Sequence, residues 1–138
     1  MNNLDLLAAR CAQETVNGLD REGAQDARKK AAALDNMATK ALGVLQENGV
    51  YAGLLFLYAK GKDEYAQALR ESLLATLAHA ELASFGLSLP ADKDKSQWQA
   101  VGEHLTSKVC NDLETLLLVK QVWEQMLIYV RYGAKARG

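Results

Sequence analysis

The chain has 138 residues, of which 49% are hydrophobic and 24% charged, and its formal net charge is −1. This length fits one domain with a core of its own. The near-neutral charge excludes a strongly basic protein that binds nucleic acid by bulk charge alone, although a local basic strip remains compatible with it.

The composition favours helices throughout the chain. Ala, Leu, Lys, Gln and Glu dominate it, all of them good helix formers, and only one residue is proline. No segment alternates apolar and polar residues between turn signals, so no strand is predicted. We therefore expect an all-α protein, a compact bundle of about five to six helices that forms a single domain over residues 1–138.

The first predicted helix begins at Asn2 or Asn3, either of which can cap it, and a polar break follows at residues 18–23. Its apolar face consists of Leu4, Leu7, Ala8, Cys11 and Val16. The second helix covers residues 24–48, and its apolar seam has the spacing of a helix that packs closely against a neighbour. The seam residues are Ala27, Ala31, Leu34, Ala38, Ala41 and Leu45.

The third helix is predicted over residues 50–60, where the sequence is apolar nearly all round, as in a helix at the middle of a bundle. Gly49 and Gly61 are expected to end the second and third helices. Asp63 then caps a fourth helix that runs towards Phe85. The apolar positions of this fourth helix are Tyr65, Leu69, Leu73, Leu77 and Leu82.

An exposed loop is predicted at about residues 84–95, which contain Pro90 and an Asp-Lys-Asp-Lys run. Ser96 and Gln99 have the spacing of a capping box, and they predict a short fifth helix that continues through Leu105.

The last helix is predicted over residues 108–132, with Gly133 as its end and a short basic tail at residues 133–138. Its core stripe repeats at helical spacing. The stripe consists of Leu116, Val119, Trp123, Met126 and Val130, widened by Leu113, Leu117, Leu127 and Ile128.

Residues that could carry catalysis or hold a metal are sparse. The two histidines, His79 and His104, fall on different predicted helices and form no HExxH-type pair. The Gly61-Lys62 segment lacks the first glycine of a phosphate-binding loop, and the Asp63-Glu64 pair is better explained by helix capping than by a divalent ion. We therefore expect no catalytic residue, no metal site and no cofactor.

The two cysteines, Cys11 and Cys110, lie singly within helical patterns, which is not the pattern of a disulfide framework. We expect buried, reduced thiols. The sequence MNNLDLLAAR has neither the basic nor the long apolar region of a signal peptide, and the most apolar stretch, residues 50–59, is about half the length that spans a bilayer. These features predict a cytoplasmic protein without membrane contact.

Three local groups of Lys and Arg stand out, at residues 28–30, 60–62 and 131–137. Basic residues at helix C-termini also stabilise the helix dipole, which favours a structural role for Lys60 and Arg131 taken singly. Together on one face, such residues can contact RNA phosphates without reading the base sequence. The predicted RNA-binding residues are Arg28, Lys29, Lys60, Lys62, Arg131, Lys135 and Arg137.

Tyrosine rings offer surfaces on which RNA bases could stack. At helical spacing, however, such rings more often pack against the core or its rim, and packing is the role expected of most of them. The tyrosines are Tyr51, Tyr58, Tyr65, Tyr129 and Tyr132.

Two stretches carry a resemblance to a known family. Residues 44–62, VLQENGVYAGLLFLYAKGK, place a long helix ending at Asn48-Gly49 before a short apolar helix with a Lys-Gly-Lys end. Residues 119–136, VKQVWEQMLIYVRYGAKA, predict a long amphipathic helix that finishes on an aromatic-x-Arg-aromatic segment. In this order they resemble the small subunit of type III-B (Cmr) CRISPR effector complexes. Departures such as Val50, where the family often has Leu, leave the type III subtype open, III-A included.

The resemblance implies a non-catalytic role in antiviral defence. Copies of this subunit would stack along the effector complex, pack against its larger backbone subunits and line the groove that holds the crRNA–target RNA duplex. The Lys and Arg groups would screen phosphate charge there, and cleavage would belong to other subunits. The implied partners are other type III subunits, further copies of this chain and the RNA backbone, with no small-molecule substrate.

Two other classes of function compete with this one. The long apolar seams of the second and last predicted helices also suit a helical protein–protein adaptor or a homo-oligomeric bundle with no RNA role. An enzyme would need a buried cluster of carboxylates or histidines that the sequence does not display. A tight homodimer without RNA affinity would favour the adaptor.

Overall fold

The computed structural model describes residues 4–17, 24–78 and 97–137, which form six α-helices. The helices are α1 (Leu4–Asn17), α2 (Ala24–Asn48), α3 (Val50–Ala59), α4 (Glu64–Ala78), α5 (Trp98–His104) and α6 (Leu113–Arg137). A π-helical segment, Leu105–Val109, continues α5. The described residues contain no strand, so the prediction of an all-α bundle is confirmed.

Several predicted features lie outside the described residues. They are the helix start at Asn2 or Asn3, the break at residues 18–23, His79, the positions of Leu82 and Phe85, the loop at residues 84–95, and Ser96. The bounds of α2 and α3 agree with prediction to within one residue. In the described part of the chain, no helix is long and apolar enough to cross a membrane.

The two long helices, α2 and α6, pack along one another, and the remaining helices cover them. The predicted seam of α2 is buried from Ala31 to Leu45, and so is the centre of the α6 stripe around Trp123. α1 packs against α6 and α4, while α3 packs against α2 and α4. The core therefore lies where α6 meets both α2 and the α1–α4 pair.

Gly49 makes the reversal between α2 and α3 possible. Its φ of 95° is a left-handed conformation that side chains with a Cβ rarely adopt, and its N–H donates to the carbonyl of Leu45 at 2.9 Å. Four residues on, Gly53 lets α3 approach α2 closely, because a Cβ there would lie 3.2 Å from the Cβ of Leu45. The connection of α2 to α3 is thus a tight helical hairpin.

The turn between α3 and α4 forms as predicted. Gly61 adopts a φ of 62°, and Asp63 caps α4 by accepting hydrogen bonds from the N–H groups of Tyr65 and Ala66 at 2.9 and 3.0 Å. This turn places Lys60 and Lys62 on the surface at one corner of the bundle.

The predicted burial of α3 in the middle of the bundle is confirmed for one face of the helix and not for the other. One face of α3, including Leu54 and Leu57, is buried, but Tyr51 and Leu55 on the other face are each 38% exposed. Among the described residues, α3 packs mainly against α2 and α4 and more lightly against α5 and α6, so part of this apolar helix lies at the surface of the bundle. Its outer face leaves apolar surface exposed.

Two predicted features of α6 were wrong at its start. The helix begins at Leu113, where Asp112 caps it by accepting hydrogen bonds from the N–H and hydroxyl of Thr115 at 3.2 and 2.7 Å. These bonds lower the pKa of Asp112. Leu113 and Leu117, which were expected to widen the core stripe, are 68% and 55% exposed because they lie to one side of the buried stripe.

The predicted basic tail at residues 133–138 was also wrong, because α6 continues through Gly133 to Arg137. A Cβ at Gly133 would lie 3.1 Å from Cγ2 of Val16 in α1. The glycine therefore allows close helix packing and does not end the helix. The sequence around Gly133 does not indicate this, because Val16 lies more than a hundred positions away.

The capping box predicted for the fifth helix depends on Ser96, which lies outside the described residues. Gln97 is the N-cap of α5 and makes no side-chain capping bond. A Cβ at Gly102 would lie 3.2 Å from the ring of Trp98, which shows how closely that indole folds back onto its own helix.

Candidate nucleic-acid interface

Five of the seven predicted basic residues fall into two places on the bundle, and the first is a groove between α2 and α6. This α2–α6 groove has a volume of about 340 Å³ and is lined by Arg28, Ala31, Ala32, Asp35, Ala134 and Lys135. The alanines keep its floor shallow, while the exposed side chains of Arg28 and Lys135 flank it from two different helices. Two cations from distant parts of the sequence thus meet at one concave surface.

The third cation near the groove, Arg131, has a structural partner. Its Nε donates to Oδ1 of Asp35 at 3.2 Å, in a contact where the two side chains are 29% and 19% exposed. The hydroxyl of Thr39 donates to the same Asp35 oxygen at 3.4 Å. This ion pair ties α2 to α6 and balances the carboxylate that lines the groove, so the net charge left there comes from Arg28 and Lys135.

Charge reversal at Arg131 is therefore expected to destabilise the fold, whereas the same change at Lys135 is not. Arg131→Glu would place two carboxylates side by side between α2 and α6, and it should lower the free energy of unfolding by about 1–2 kcal/mol. Lys135→Glu, at an exposed position, should change it by less than about 0.5 kcal/mol. Urea denaturation followed by circular dichroism measures both. Equal stability of the two variants would contradict the structural role, and recovery in Asp35→Lys/Arg131→Glu would support it.

The second place is the turn between α3 and α4. Lys60 and Lys62 are both exposed there, and the ammonium group of Lys60 lies 5.1 Å from the centroid of the Phe56 ring. Neither lysine is among the described residues that line the α2–α6 groove. Lys29 is exposed on α2 beside Arg28, and Arg137 is the last residue of α6.

A buried cation, Arg70, holds this turn and was not among the predicted site residues. It is 9% exposed, its Nη1 donates to the carbonyl of Gly61 at 3.2 Å, and its guanidinium lies 4.6 Å from the centroid of the Tyr58 ring. A basic residue in the middle of a helix gives no local signal of this role, since both partners lie outside its own helix.

Four of the five tyrosines are engaged in packing or hydrogen bonds, as expected. Tyr51 and Tyr58 contact the ring of Trp98 at centroid distances of 5.1 and 5.2 Å. Tyr65 is half-buried in the first turn of α4. The hydroxyl of Tyr129 donates to Asp5 of α1, which raises the pKa of Tyr129 above its usual value.

Tyr132 is the exception among the tyrosines. It is 62% exposed on α6, and the ammonium group of Lys135 lies 5.7 Å from its ring centroid. Because Lys135 also lines the α2–α6 groove, an accessible aromatic ring adjoins one of the two cations that flank that groove.

A larger groove, of about 460 Å³, lies between α1 and α6, and small side chains such as Ala9, Ala12 and Gly133 form part of its lining. None of the predicted RNA-binding residues is among the described residues that line it. Its volume is therefore no guide to where RNA would bind, since phosphate recognition requires cations.

The groups that could hold a metal or supply a nucleophile are dispersed. Within residues 4–17, 24–78 and 97–137, no cluster of three or more His, Cys, Asp or Glu side chains is placed to bind a metal ion. Both cysteines are free, with Cys11 buried as predicted and Cys110 only partly buried. Burial raises the pKa of both thiols, which lowers their reactivity as nucleophiles at neutral pH.

In comparisons with protein-family models, curated proteins and solved structures, none matched this chain. The features that bear on function are therefore the geometry of the two basic places and the sequence resemblance described above.

Proposed function

We propose that this chain is a non-catalytic small subunit of a type III CRISPR RNA-guided effector complex, of type III-B or a related subtype. In this role it contacts the RNA phosphate backbone through its basic surface, in a cytoplasmic complex that includes other type III subunits. Catalysis belongs to those other subunits.

The observation that carries this proposal is the meeting of Arg28 and Lys135 across the α2–α6 groove. On a chain with a formal net charge of −1, nucleic-acid affinity has to come from local concentrations of cations. The groove provides one such concentration. Asp35 is the only carboxylate among its described lining residues, and Arg131 balances the charge of Asp35. The corner with Lys60 and Lys62 provides a second, which Arg70 supports from within.

The two stretches that resemble the Cmr small subunit also coincide with these places. Residues 44–62 form the α2–α3 hairpin and end at the Lys60–Lys62 corner. Residues 119–136 form the part of α6 that carries Arg131, Tyr132 and Lys135. The resemblance and the positive charge therefore fall on the same elements, which supports assigning them one role.

RNA binding by a charge-reversed variant tests the proposal. In Lys60→Glu/Lys62→Glu/Lys135→Glu, all three changes lie at exposed positions, so circular dichroism should show unchanged helicity. We expect affinity for a fluorescent RNA to fall by more than about tenfold at low salt, because contacts with phosphates are lost. Fluorescence anisotropy measures the affinity across a salt series.

The matched control reverses the same number of charges elsewhere on the surface. Arg10, Lys40 and Lys108 are also exposed, and their replacement by Glu gives the same net charge. Equal losses of affinity in the two variants would show that only bulk charge matters and would contradict the assignment of these residues. Affinity purification from the native cell tests the partners: the recovery of no other type III subunit would contradict the proposed complex.

A helical protein–protein adaptor is the second candidate, and exposed leucines favour it. Leu113 and Leu117 are one turn apart on α6 and exposed at 68% and 55%, beside the exposed acidic residues Asp112 and Glu114. Apolar surface of this kind is typical of contact with another protein. Tight self-association that is lost in Leu113→Ser/Leu117→Ser, together with no affinity for RNA, would favour this role over the first.

A further inference from the structure

The α2–α6 groove and the ring of Tyr132 together have the parts needed to hold one nucleotide. We propose that this surface binds single-stranded RNA, with Arg28 and Lys135 on backbone phosphate and Tyr132 stacked on a base. The inference rests on the proposed RNA-binding function. It departs from the crRNA–target duplex that the resemblance implies, because it names single-stranded RNA as the ligand and Tyr132 as the residue that recognises it.

Which cations of the groove can contact a phosphate depends on which charges there are already paired. Asp35 faces the groove, but Arg131 donates to it at 3.2 Å and so reduces its repulsion of a second anion. Arg28 and Lys135 are exposed on the two sides of a floor made by small side chains. Such a floor lets the backbone of a strand come close to both cations.

Which tyrosine ring can stack on a base depends on how exposed that ring is. Tyr51 and Tyr58 contact the ring of Trp98, and Tyr129 donates its hydroxyl to Asp5, whereas Tyr132 is 62% exposed. Lys135 approaches the Tyr132 ring at 5.7 Å, so the cation and the ring are close enough to contact the phosphate and the base of one nucleotide. Aromatic rings beside cations are the usual platform for single-stranded nucleic acid.

A base-paired RNA would use this arrangement poorly. In a duplex the bases are stacked on one another inside the helix, and the protein contacts mainly phosphates and ribose hydroxyls. A duplex could contact Arg28 and Lys135 but would leave Tyr132 without a base. Stacking on Tyr132 should therefore make the protein discriminate between single-stranded and duplex RNA, which contacts with cations alone would not do.

The test compares a single-stranded oligouridine of about 12 nucleotides with a duplex of the same length by fluorescence anisotropy. We expect the unaltered protein to bind the single strand more tightly. Tyr132→Leu should weaken single-strand binding by about tenfold and leave duplex binding unchanged, while Tyr132→Phe should retain both. In Arg28→Glu/Lys135→Glu, the dependence of log affinity on log salt should lose roughly 1.4 from its slope.

The control variant Lys40→Glu/Lys108→Glu changes the net charge equally at exposed positions away from the groove, and its salt slope should stay close to that of the unaltered protein. Single-strand affinity that is unchanged in Tyr132→Leu, or equal affinity for single strand and duplex, would overturn the inference while leaving the proposed function intact. Failure of the unaltered protein to bind either RNA would instead overturn the proposed RNA-binding function.

Discussion

Replacement of Trp123 by alanine is expected to lower the free energy of unfolding by about 4 kcal/mol, the largest effect expected of any single substitution considered. Trp123 is 0% exposed at the centre of the α6 stripe. Its indole Nε1 donates to the hydroxyl of Thr76 in α4 at 2.9 Å, and that hydroxyl donates to the carbonyl of Leu73 at 2.6 Å. The substitution would open a large cavity and break the bond that joins α4 to α6.

Thermal unfolding followed by circular dichroism checks this prediction, and the melting temperature should fall by about 10–15 °C. Leu117→Ala is the matched control, because it shortens a residue of the same helix that is 55% exposed, and it should change the stability by less than about 0.5 kcal/mol. A similar loss in both variants would contradict the central position of Trp123 in the core.

The contribution of the Trp123 hydrogen bond to stability can be measured separately from the contribution of its side-chain volume. Thr76→Val keeps the shape of the side chain but leaves the buried indole N–H without its acceptor, at a cost of about 1–3 kcal/mol. Trp123→Phe removes the donor instead. Because the two substitutions remove the same bond, the double variant should be less destabilised than the sum of the single ones. Additive losses would show that the bond contributes nothing of its own.

Features that depend on nearby residues were predictable from the sequence. The buried face of α2 follows from its helical spacing, and the cap at Asp63 follows from a short acidic side chain directly before an apolar run. Gly49 and Gly61 end their helices in left-handed conformations, as their positions between helices suggested.

Features that depend on residues far apart in sequence were not predictable. Nothing near Asp35 indicates that it pairs with Arg131, and nothing near Thr76 indicates that it accepts from Trp123. The same applies to Gly133, which resembles a helix end until Val16 is seen against it. The seven predicted RNA-binding residues could be named from their charge, but only the packing of α2 on α6 distinguishes Arg28 and Lys135, in the groove, from Arg131, which is paired.

Arg70→Met is expected to loosen the turn between α3 and α4 and to lower the free energy of unfolding by about 2 kcal/mol. Burying a cation is unfavourable unless it gains partners, and here the guanidinium gains the Gly61 carbonyl and the face of Tyr58. Met retains much of the apolar packing of the stem but offers neither interaction, so the Gly61 carbonyl would lose its donor. Chemical denaturation measures the loss.

Because Arg70 donates to the carbonyl of Gly61, Arg70→Met should also lower the local stability of the turn between α3 and α4. Gly61 donates to the carbonyl of Tyr58 at 3.0 Å, and Asp63 donates to that of Lys60 at 3.3 Å, so these two amides report on the turn that presents Lys60 and Lys62. Hydrogen exchange of both amides should accelerate in Arg70→Met, with a smaller effect in Arg70→Lys, which keeps the charge. Arg10→Met, an exposed arginine on α1, should leave both amides unchanged. Unaltered exchange in Arg70→Met would mean that the turn holds its shape without the buried cation, and the contribution of Arg70 to the basic corner would then be refuted.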